Sequence, residues 1–238
     1  MIKITILYDN RKKKGVFKNI KIAHGFSCNI QIDKKNIIFD TGWDGDILLY
    51  NMDLLNIDIK NVDMIILSHR HGDHSGGLAR LLNIKSDVKV FVPLCFYESL
   101  KKRIGNDHFF NIKNLLPIKK SAKLISQLYT TGELTGNVIR NNRKILVKEQ
   151  SLILNSEKGI VVITGCAHPG IGNIIKIASK YGRIYAIIGG FHDFNNYKIL
   201  EKVPLIVPLH CTKNKKSIEK LFPNQCIKNS GVGEVISI

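Results

Sequence analysis

Apolar residues along this chain gather into short runs separated by polar turns. Runs rich in isoleucine and valine are typical of buried strands, whereas apolar residues spaced three or four apart are typical of helices. The runs predict strands at residues 2–8, 26–32, 36–40, 64–67, 89–93, 145–154, 159–164, 184–188, 205–208 and 235–238. The helical spacing predicts helices at residues 45–55, 78–82, 95–104, 173–180, 197–202 and 214–222. Because strands alternate with helices and no linker intervenes, we expect one α/β domain over residues 1–238.

Residues 105–150 are the least regular part of the pattern. They hold several turns rich in glycine and asparagine, and the aromatic pair Phe109-Phe110. A long span with a weak pattern is more typical of a functional loop or lid than of a core element. We therefore expect such a loop here, followed by a β-hairpin around a turn at residues 155–158.

The densest polar cluster follows the apolar run at residues 64–67 and contains His69, His71, Asp73 and His74. Neutral imidazole and carboxylate are common ligands of divalent transition metals. Alternate residues of an extended loop face the same side, so the first three can converge while His74 turns to a second point. A polar loop with surface histidines is the alternative, but it leaves the strand–loop–helix context unexplained.

Three later histidines, His168, His192 and His210, each lie just beyond the carboxyl end of a predicted strand. Loops at strand ends are where α/β proteins build sites on a rigid scaffold. Taken alone, each histidine is more typical of a hydrogen-bonded or solvent-exposed residue than of a metal ligand. Together with the first cluster, His168 and His210 supply the roughly six ligands that a two-metal site needs. We expect one or two divalent ions, which could be zinc, iron, manganese or magnesium.

The net charge is +17, from 36 Lys and Arg against 19 Asp and Glu. Such a charge can attract phosphorylated substrates or nucleic acid. However, Lys, Ile and Asn are all frequent, which also fits an AT-rich coding sequence. The basic residues are scattered apart from residues 11–14 and 213–216, and no aromatics are interleaved with them. We therefore attribute the positive charge to the coding sequence rather than to a nucleic-acid-binding surface. We expect a small anionic phosphorylated substrate and no nucleic-acid partner.

The five cysteines are widely spaced and include no Cys-x-x-Cys pair, which argues against a disulfide framework and fits a reducing compartment. No apolar run approaches the roughly 18 residues needed to span a bilayer. The first residues alternate like a strand and lack the cleavage region of a signal peptide. We therefore expect a cytoplasmic protein without a membrane partner.

Several motifs resemble those of the metallo-β-lactamase superfamily. They are Phe39-Asp-Thr-Gly42, the His-x-His-x-Asp-His run of residues 69–74, and the strand-end His168 and His210. The resemblance implies an αββα sandwich with the site at one edge of the two sheets. It also implies one metal on His69, His71 and His168 and a second on Asp73, His74 and His210. Asp40 would orient these ligands from behind, as carboxylates near metal sites commonly do.

Four further segments resemble one branch of that superfamily, the group named for 7,8-dihydropterin-6-methyl-4-(β-D-ribofuranosyl)aminobenzene-5′-phosphate synthase of tetrahydromethanopterin biosynthesis. They are residues 23–27 (AHGFS), 164–171 (TGCAHPGI), 189–192 (GGFH) and 231–235 (GVGEV). The resemblance implies a metal-dependent transferase that condenses a dihydropterin pyrophosphate with an arylamine ribosyl phosphate. The alternative is a hydrolase of an ester, lactone or phosphodiester that uses metal-bound hydroxide.

The chain departs from the superfamily pattern at one point. Most hydrolases of the superfamily bridge their metals with an Asp after a late strand, and here His192 stands near that position with Asp193 beside it. Either residue replaces the bridge, or the bridge is missing and the second site is weak. Asp73 and His192 are the predicted catalytic residues.

Substrate contacts are predicted at three further places. If the branch resemblance holds, His24 and the pair Phe109-Phe110 would grip a planar ring. Gly231 and Gly233 would let a phosphate approach the backbone N–H groups of their turn. The alternative makes His24 a turn residue, the two phenylalanines part of the core, and the glycines a bend before the last strand.

Overall fold

The computed structural model describes residues 1–103 and 114–238, and two sheets dominate these parts of the chain. The strands of the first sheet are β1 (Ile2–Tyr8), β2 (Ser27–Ile32), β3 (Lys35–Phe39), β4 (Met64–Ile66), β5 (Lys89–Pro93), β6 (Leu115–Ile118) and β15 (Val235–Ser237). Their spatial order is β15-β1-β2-β3-β4-β5-β6. Strands β3 to β6 pair in parallel, so their carboxyl ends meet at one edge of the sheet.

The second sheet contains β7 (Lys120–Ile125), β8 (Leu128–Gly132), β11 (Leu152–Ser156), β12 (Gly159–Thr164), β13 (Ile184–Gly190) and β14 (Leu205–Leu209). Their spatial order is β14-β13-β12-β11-β8-β7, and β12, β13 and β14 are parallel. Strands β9 (Leu134–Arg140) and β10 (Arg143–Glu149) form a separate antiparallel hairpin.

The helices are α1 (Gly45–Leu54), α2 (Gly72–Ser75), α3 (Leu78–Ile84), α4 (Leu94–Arg103), α5 (Ile171–Ala178) and α6 (Lys215–Leu221). Short 3-10 turns lie at Ile59–Asn61 and Tyr197–Leu200. Helices α1, α3 and α4 pack on the outer face of the first sheet. Helices α5 and α6 pack on the outer face of the second sheet.

Both faces of the central strands are buried, which is why the strands appear in the sequence as unbroken apolar runs. In β1, Ile4 and Ile6 face the core between the sheets, whereas Leu7 faces the outer helices. In β12, Val161 faces the middle and Val162 faces α5 and α6. The order is therefore helix, sheet, sheet, helix, and the predicted α/β class with its αββα arrangement is confirmed.

The expectation of a loop or lid over residues 105–150 is wrong for the part that the structure describes. Residues 115–149 contain the five strands β6 to β10. Strands β7 and β9 contain few apolar residues in succession, so no apolar run marks them. Asn141 and Asn142 have φ of 50° and 56°, which fits a two-residue hairpin turn between β9 and β10. Phe109 and Phe110 lie outside the described residues.

The predicted strand at residues 145–154 is also divided between two elements. Its first part belongs to β10 and its last part to β11. At the break, the backbone N–H of Gln150 donates to the carbonyl of Ser68 (2.9 Å), and its side-chain amide donates to that of Leu67 (2.8 Å). The chain thus leaves the hairpin and enters the second sheet while bound to the loop after β4.

Candidate metal centre

Two groups of potential metal ligands lie where parallel strands of both sheets end. The three-histidine group is His69, His71 and His168, and the four-donor group is Asp73, His74, Cys166 and His210. Within each group, one donor atom from every residue lies within 4.8 Å of the others. The six side chains that the sequence predicts as ligands are therefore brought together, and Cys166 joins them.

Both groups draw their donors from both sheets. His69 follows β4, and the short helix α2 carries Asp73 and His74 on consecutive residues. Cys166 and His168 follow β12, and His210 follows β14. The donors of each group thus approach from opposite layers of the sandwich.

In the three-histidine group the facing atoms are ring nitrogens. His69 Nε2 lies 2.9 Å from His71 Nδ1, and His168 Nε2 lies 3.3 Å from that same nitrogen. Two nitrogens bound to one tetrahedral zinc ion are about 3.3 Å apart, because Zn–N bonds are about 2.0–2.1 Å. The separations fit one shared ion.

In the four-donor group, His74 Nε2 lies 3.2 Å from His210 Nε2 and 3.1 Å from Cys166 Sγ. Asp73 Oδ2 lies 3.1 Å from His210 Nε2 and 3.6 Å from His74 Nε2. These separations also fit a single ion. The sequence prediction included three of these donors and missed the sulfur.

Asp40 connects the two groups from behind. Its carboxylate accepts hydrogen bonds from His74 Nδ1 (2.6 Å), the Ser68 hydroxyl (2.7 Å) and the Ser68 backbone N–H (2.6 Å). The Ser68 hydroxyl in turn accepts from His69 Nδ1 (2.9 Å). Because Nδ1 of both rings is used as a donor, Nε2 is the nitrogen that each ring presents to a cation.

Glu149 holds the loop that carries Cys166 and His168. Its buried carboxylate accepts the backbone N–H groups of Cys166 (2.8 Å), Ala167 (2.9 Å) and His168 (2.8 Å). Burial raises the pKa of Glu149, although these three hydrogen bonds oppose the shift. The sequence prediction missed this residue because its partners lie 17 to 19 residues further along the chain and no local pattern links them.

Asp9 and Asn10, which follow β1, support His210. The backbone N–H of His210 donates to Asp9 Oδ2 (2.7 Å), and the His210 ring Nδ1 donates to Asn10 Oδ1 (3.0 Å). Burial raises the pKa of Asp9 to about 6, while hydrogen bonds from the backbone of His210 and Arg11 oppose the shift.

The pKa values test whether these rings suit a cation. Burial lowers the pKa of His69, His71 and His168, the last to about 3, and the neighbouring imidazoles lower it further. Burial also lowers the pKa of His210 to about 4, although Asp73 opposes the shift. These rings are neutral at pH 7 and offer lone pairs, which is the form that binds metals. The three-histidine group therefore fits a divalent ion.

In the four-donor group, the pKa values of different residues shift in different directions. Burial opposes protonation of His74, but the Asp40 and Asp73 carboxylates outweigh it and raise the pKa of His74 to about 9. Burial would raise the pKa of Asp73, yet the hydrogen bond from His210 and the charge of His74 hold it well below its usual value. Burial raises the pKa of the Cys166 thiol. Without a metal, His74 and Cys166 are therefore protonated at pH 7, and a divalent ion has to displace both protons when it binds. A carboxylate, a sulfur and two imidazoles are nevertheless donor types that zinc prefers, so this group also fits a divalent ion.

His192 and Asp193 lie beside the donor groups and belong to neither. The His192 ring centroid is 5.0 Å from that of His168, and its Nδ1 lies 3.1 Å from Asp193 Oδ2. Asp193 Oδ1 pairs with Lys213 Nζ at 2.6 Å. Neither side chain therefore stands in a bridging position between the two groups.

His24 lies on the opposite rim, next to the four-donor group. Its Nε2 is 3.3 Å from Asp73 Oδ2, and its ring is 5.1 Å from that of His210. Gly25 (φ +142°) allows this approach, because a Cβ at that position would collide with the carbonyl oxygen of Asp73. About 64% of the His24 side chain is exposed, so it remains open to a ligand.

The turn at residues 231–233 has a packing role. Gly231 and Gly233 are buried, and a Cβ at either would collide with the segment around Arg11 or with Val16. The N–H groups of Val232 and Gly233 already donate to backbone carbonyls. The described contacts therefore give no support to the phosphate site expected at these glycines.

Several residues at the site have strained backbone conformations. Four non-glycine residues here have φ in the left-handed region: Asp40 (60°), Ala167 (58°), His192 (46°) and His210 (43°). Each such conformation costs roughly 1–3 kcal/mol and persists only where the surroundings impose it. The hydrogen bonds to Asp9 and Glu149 supply that restraint at His210 and Ala167.

A cavity of about 750 Å³ opens beside the three-histidine group. His168 and His192 line it, Ile139 and Phe194 contribute apolar surface, and Lys213 adds a basic side chain. A smaller cavity of about 340 Å³ lies on the other rim, between His24, Tyr8 and Trp43.

Comparison with known proteins gives consistent matches. The sequence model of the metallo-beta-lactamase superfamily matches residues 27–172. The chain is 30% identical to the 7,8-dihydropterin-6-methyl-4-(beta-D-ribofuranosyl)-aminobenzene-5'-phosphate synthase of Methanocaldococcus jannaschii, over 86% of this chain and 90% of that protein. It is also 30% identical to an uncharacterized protein of the same organism, over 99% of this chain and 100% of the other.

Among solved structures, Tm1679, described as a metal-dependent hydrolase of the beta-lactamase superfamily, matches with a TM-score of 0.73 and 25% identity. The match covers 100% of this chain and 99% of that one. Within residues 1–103 and 114–238, no helix is both long and apolar enough to cross a membrane.

Proposed function

The chain belongs to the metallo-β-lactamase superfamily, and from this premise we propose that it is a metal-dependent transferase that joins an arylamine to a dihydropterin. The observation that carries the proposal is the 30% identity, over most of both chains, to a relative named as a dihydropterin-linked aminobenzene phosphate synthase. In the proposed reaction, a dihydropterin pyrophosphate and an arylamine ribosyl phosphate are the substrates.

The proposed ligands are the six predicted side chains, with one ion on the three-histidine group and one on Asp73, His74 and His210. Bound divalent ions would neutralise the negative charge that develops on the departing pyrophosphate. Asp40, Glu149 and Asn10 fix the rings and loops that carry these ligands. Such restraint keeps the donors in place without reorganisation during the reaction.

The larger cavity supports a substrate with one flat end and one charged end. Ile139 and Phe194 give apolar surface for an aromatic ring, and Lys213, which pairs with Asp193, is a basic residue of the same cavity that would bind a phosphate. Trp43 and His24 offer a second flat surface on the other rim. The enzyme must hold the amine in line with the carbon–oxygen bond that breaks, because orientation supplies a large share of the rate.

His192 is the proposed base. The arylamine nitrogen forms a bond to the pterin methylene carbon, the bond from that carbon to pyrophosphate oxygen breaks, and one amine proton must leave. Because His192 Nδ1 pairs with Asp193, its Nε2 is the free nitrogen that can accept this proton. The ring lies at the cavity beside His168, where a bound amine would reach it.

A hydrolase of an ester, lactone or phosphodiester is the second candidate. It is favoured by the match to Tm1679, which is described as a metal-dependent hydrolase. The same donor groups would serve both chemistries, so the reaction has to be measured directly.

The test is an incubation of the metal-loaded protein with hydroxymethyl-dihydropterin pyrophosphate, with and without an aminobenzene ribosyl phosphate. Metal-dependent formation of the condensed product supports the transferase. The metal-free protein and the Asp73→Ala variant serve as controls: the first should form none, and the second should form it about a thousandfold more slowly.

Two results would overturn the transferase. One is pyrophosphate release at the same rate with and without the amine, which would indicate hydrolysis. The other is absence of turnover by a preparation that hydrolyses lactones or phosphodiesters.

A further inference from the structure

Cys166 occupies a position that the superfamily resemblance did not assign. It is 3% exposed and follows β12, two residues before His168. Glu149 binds the N–H groups of Cys166 and Ala167, so the backbone that aims the sulfur is held on both sides of its Cα. The side chain is therefore directed at the four-donor group by its local structure.

The sulfur stands at a ligand distance from the other donors. Cys166 Sγ is 3.1 Å from His74 Nε2 and within 4.8 Å of the donor atoms of Asp73 and His210. A zinc ion with one sulfur at about 2.3 Å and one nitrogen at about 2.0 Å separates these two atoms by roughly 3.5 Å in a tetrahedron. A small adjustment would bring Sγ into the coordination shell of an ion held by the other three donors.

We propose that Cys166 is the fourth protein ligand of the second metal, together with Asp73, His74 and His210. This inference rests on the two-metal site of the proposed function. On binding, the thiol gives its proton to solvent and the sulfur coordinates as thiolate. The thiolate and the Asp73 carboxylate then supply two negative charges, which offset the charge of one divalent ion.

This assignment addresses the missing bridging carboxylate. Asp193, the nearest acidic residue to that position in the sequence, pairs with Lys213 and lies outside both donor groups. Cys166 supplies an anionic donor from a different loop. The second metal thereby gains a full set of protein ligands without a bridge.

A consequence concerns which metal faces the substrate. Four protein ligands complete a tetrahedral zinc shell, whereas three leave an open position, which is the arrangement of catalytic zinc sites. The larger cavity agrees with this division, because His168 lines it and the described residues lining it include none of the four donors. The open coordination position therefore lies on the three-histidine side.

X-ray absorption of the protein loaded with two zinc ions tests the assignment. We expect a sulfur scatterer at about 2.3 Å, with about one sulfur for every two zinc ions. Cys166→Ser should remove this scatterer and weaken binding of the second ion by about 100-fold or more, since even residues behind the ligands contribute 10–100-fold. Cobalt in place of zinc should show a thiolate charge-transfer band that the variant loses.

Cys211→Ser is the matched control. Cys211 lies in the same region, with its Sγ 3.8 Å from the carbonyl oxygen of Cys166, but it is not in a donor group. This variant should keep the sulfur scatterer and both metals. If Cys166→Ser fails to fold, the zinc spectra of the wild type and Cys211→Ser still decide the question.

The outcomes separate this inference from the proposed function. Two bound zinc ions without a sulfur scatterer, or a scatterer that persists in Cys166→Ser, would overturn the role of Cys166 alone. Failure to bind any divalent metal would overturn both proposals.

Discussion

The three-histidine group and the four-donor group lie side by side but differ in charge, in support and in access. The first consists of neutral rings and includes His168, whose buried Nδ1 has no hydrogen-bond partner among the described residues. In the second, Nδ1 of His74 is held by Asp40 and Nδ1 of His210 by Asn10. Only the first group contributes to the larger cavity within the described chain.

This difference indicates that the two groups have different roles within one site. A group with a carboxylate, a sulfur and two restrained rings is suited to retain an ion tightly. A group of three neutral rings at a cavity is suited to leave a coordination position for substrate. The two sites should therefore respond differently to substitutions that reach one group, the other, or both.

Removal of a ligand from either group should have the largest effect. His71→Ala and Asp73→Ala should each lose one metal and lower the turnover by roughly a thousandfold, because several kcal/mol of transition-state stabilisation depends on the ion. Metal analysis and steady-state kinetics measure both effects. The metal-free variants should unfold at the temperature of the metal-free wild type, since the ligands are not the core.

If either of these substitutions removed both metals, the two groups would act as one unit and the comparison would fail.

Asp40→Asn should weaken both sites, because Asp40 contacts His74 directly and reaches His69 through Ser68. We expect metal affinity to fall by about 10–100-fold at each site. Asparagine tolerates the left-handed backbone of this position, so the fold should persist. Titration with a metal-sensitive dye measures the two affinities. Ser68→Ala is the matched control and should weaken the three-histidine site alone.

Glu149→Gln should disturb the loop that serves both groups. Glutamine has one oxygen for the three N–H groups that Glu149 accepts, so a buried donor is left unpaired. That costs about 1–3 kcal/mol, and we expect the free energy of unfolding of the metal-free protein to fall by this amount. Urea denaturation measures it. An unchanged stability would mean that the loop is held by other contacts.

The last two variants test the histidines on the two rims. His192→Ala should lower kcat by about 100-fold at unchanged metal content, because the ring is the proposed base and is not a ligand. His24→Ala should instead weaken binding of the second metal a fewfold, because the ring contacts Asp73. Equal effects of the two variants on kcat would contradict the role of His192 and the placement of the open position on the three-histidine side.

The sequence predicts the strands and the first ligand cluster for local reasons. Strands β1 and β5 match their predicted bounds because buried parallel and central strands are continuous apolar runs. His69, His71, Asp73 and His74 are close in sequence, so their convergence needs only one loop. The strand-end position was enough to include His168 and His210, although their place at the site depends on the register of a second sheet.

The sequence could not predict the supporting residues in the same way. Glu149 and Asn10 act across the fold on partners 17 to 19 residues away or at the far end of the chain, and no local pattern marks them. Cys166 was missed as well, because its loop turns at Ala167 (φ 58°), so its place two residues before the predicted ligand His168 does not fix the direction of the sulfur. The hairpin of β9 and β10 was signalled by its two asparagines, but β9 lacks an apolar run and the short run of β10 was assigned to a longer strand.

Each donor group takes ligands from loops of both sheets, and this arrangement makes a bound ion a cross-link between the two layers. At a metal concentration 1,000 times its Kd, a single ion stabilises the folded chain by about 4 kcal/mol. A chelator that removes the ion would then destabilise the fold at this edge of the sandwich. The lifetime of this protein in its host would accordingly rise and fall with the supply of metal, as well as with temperature.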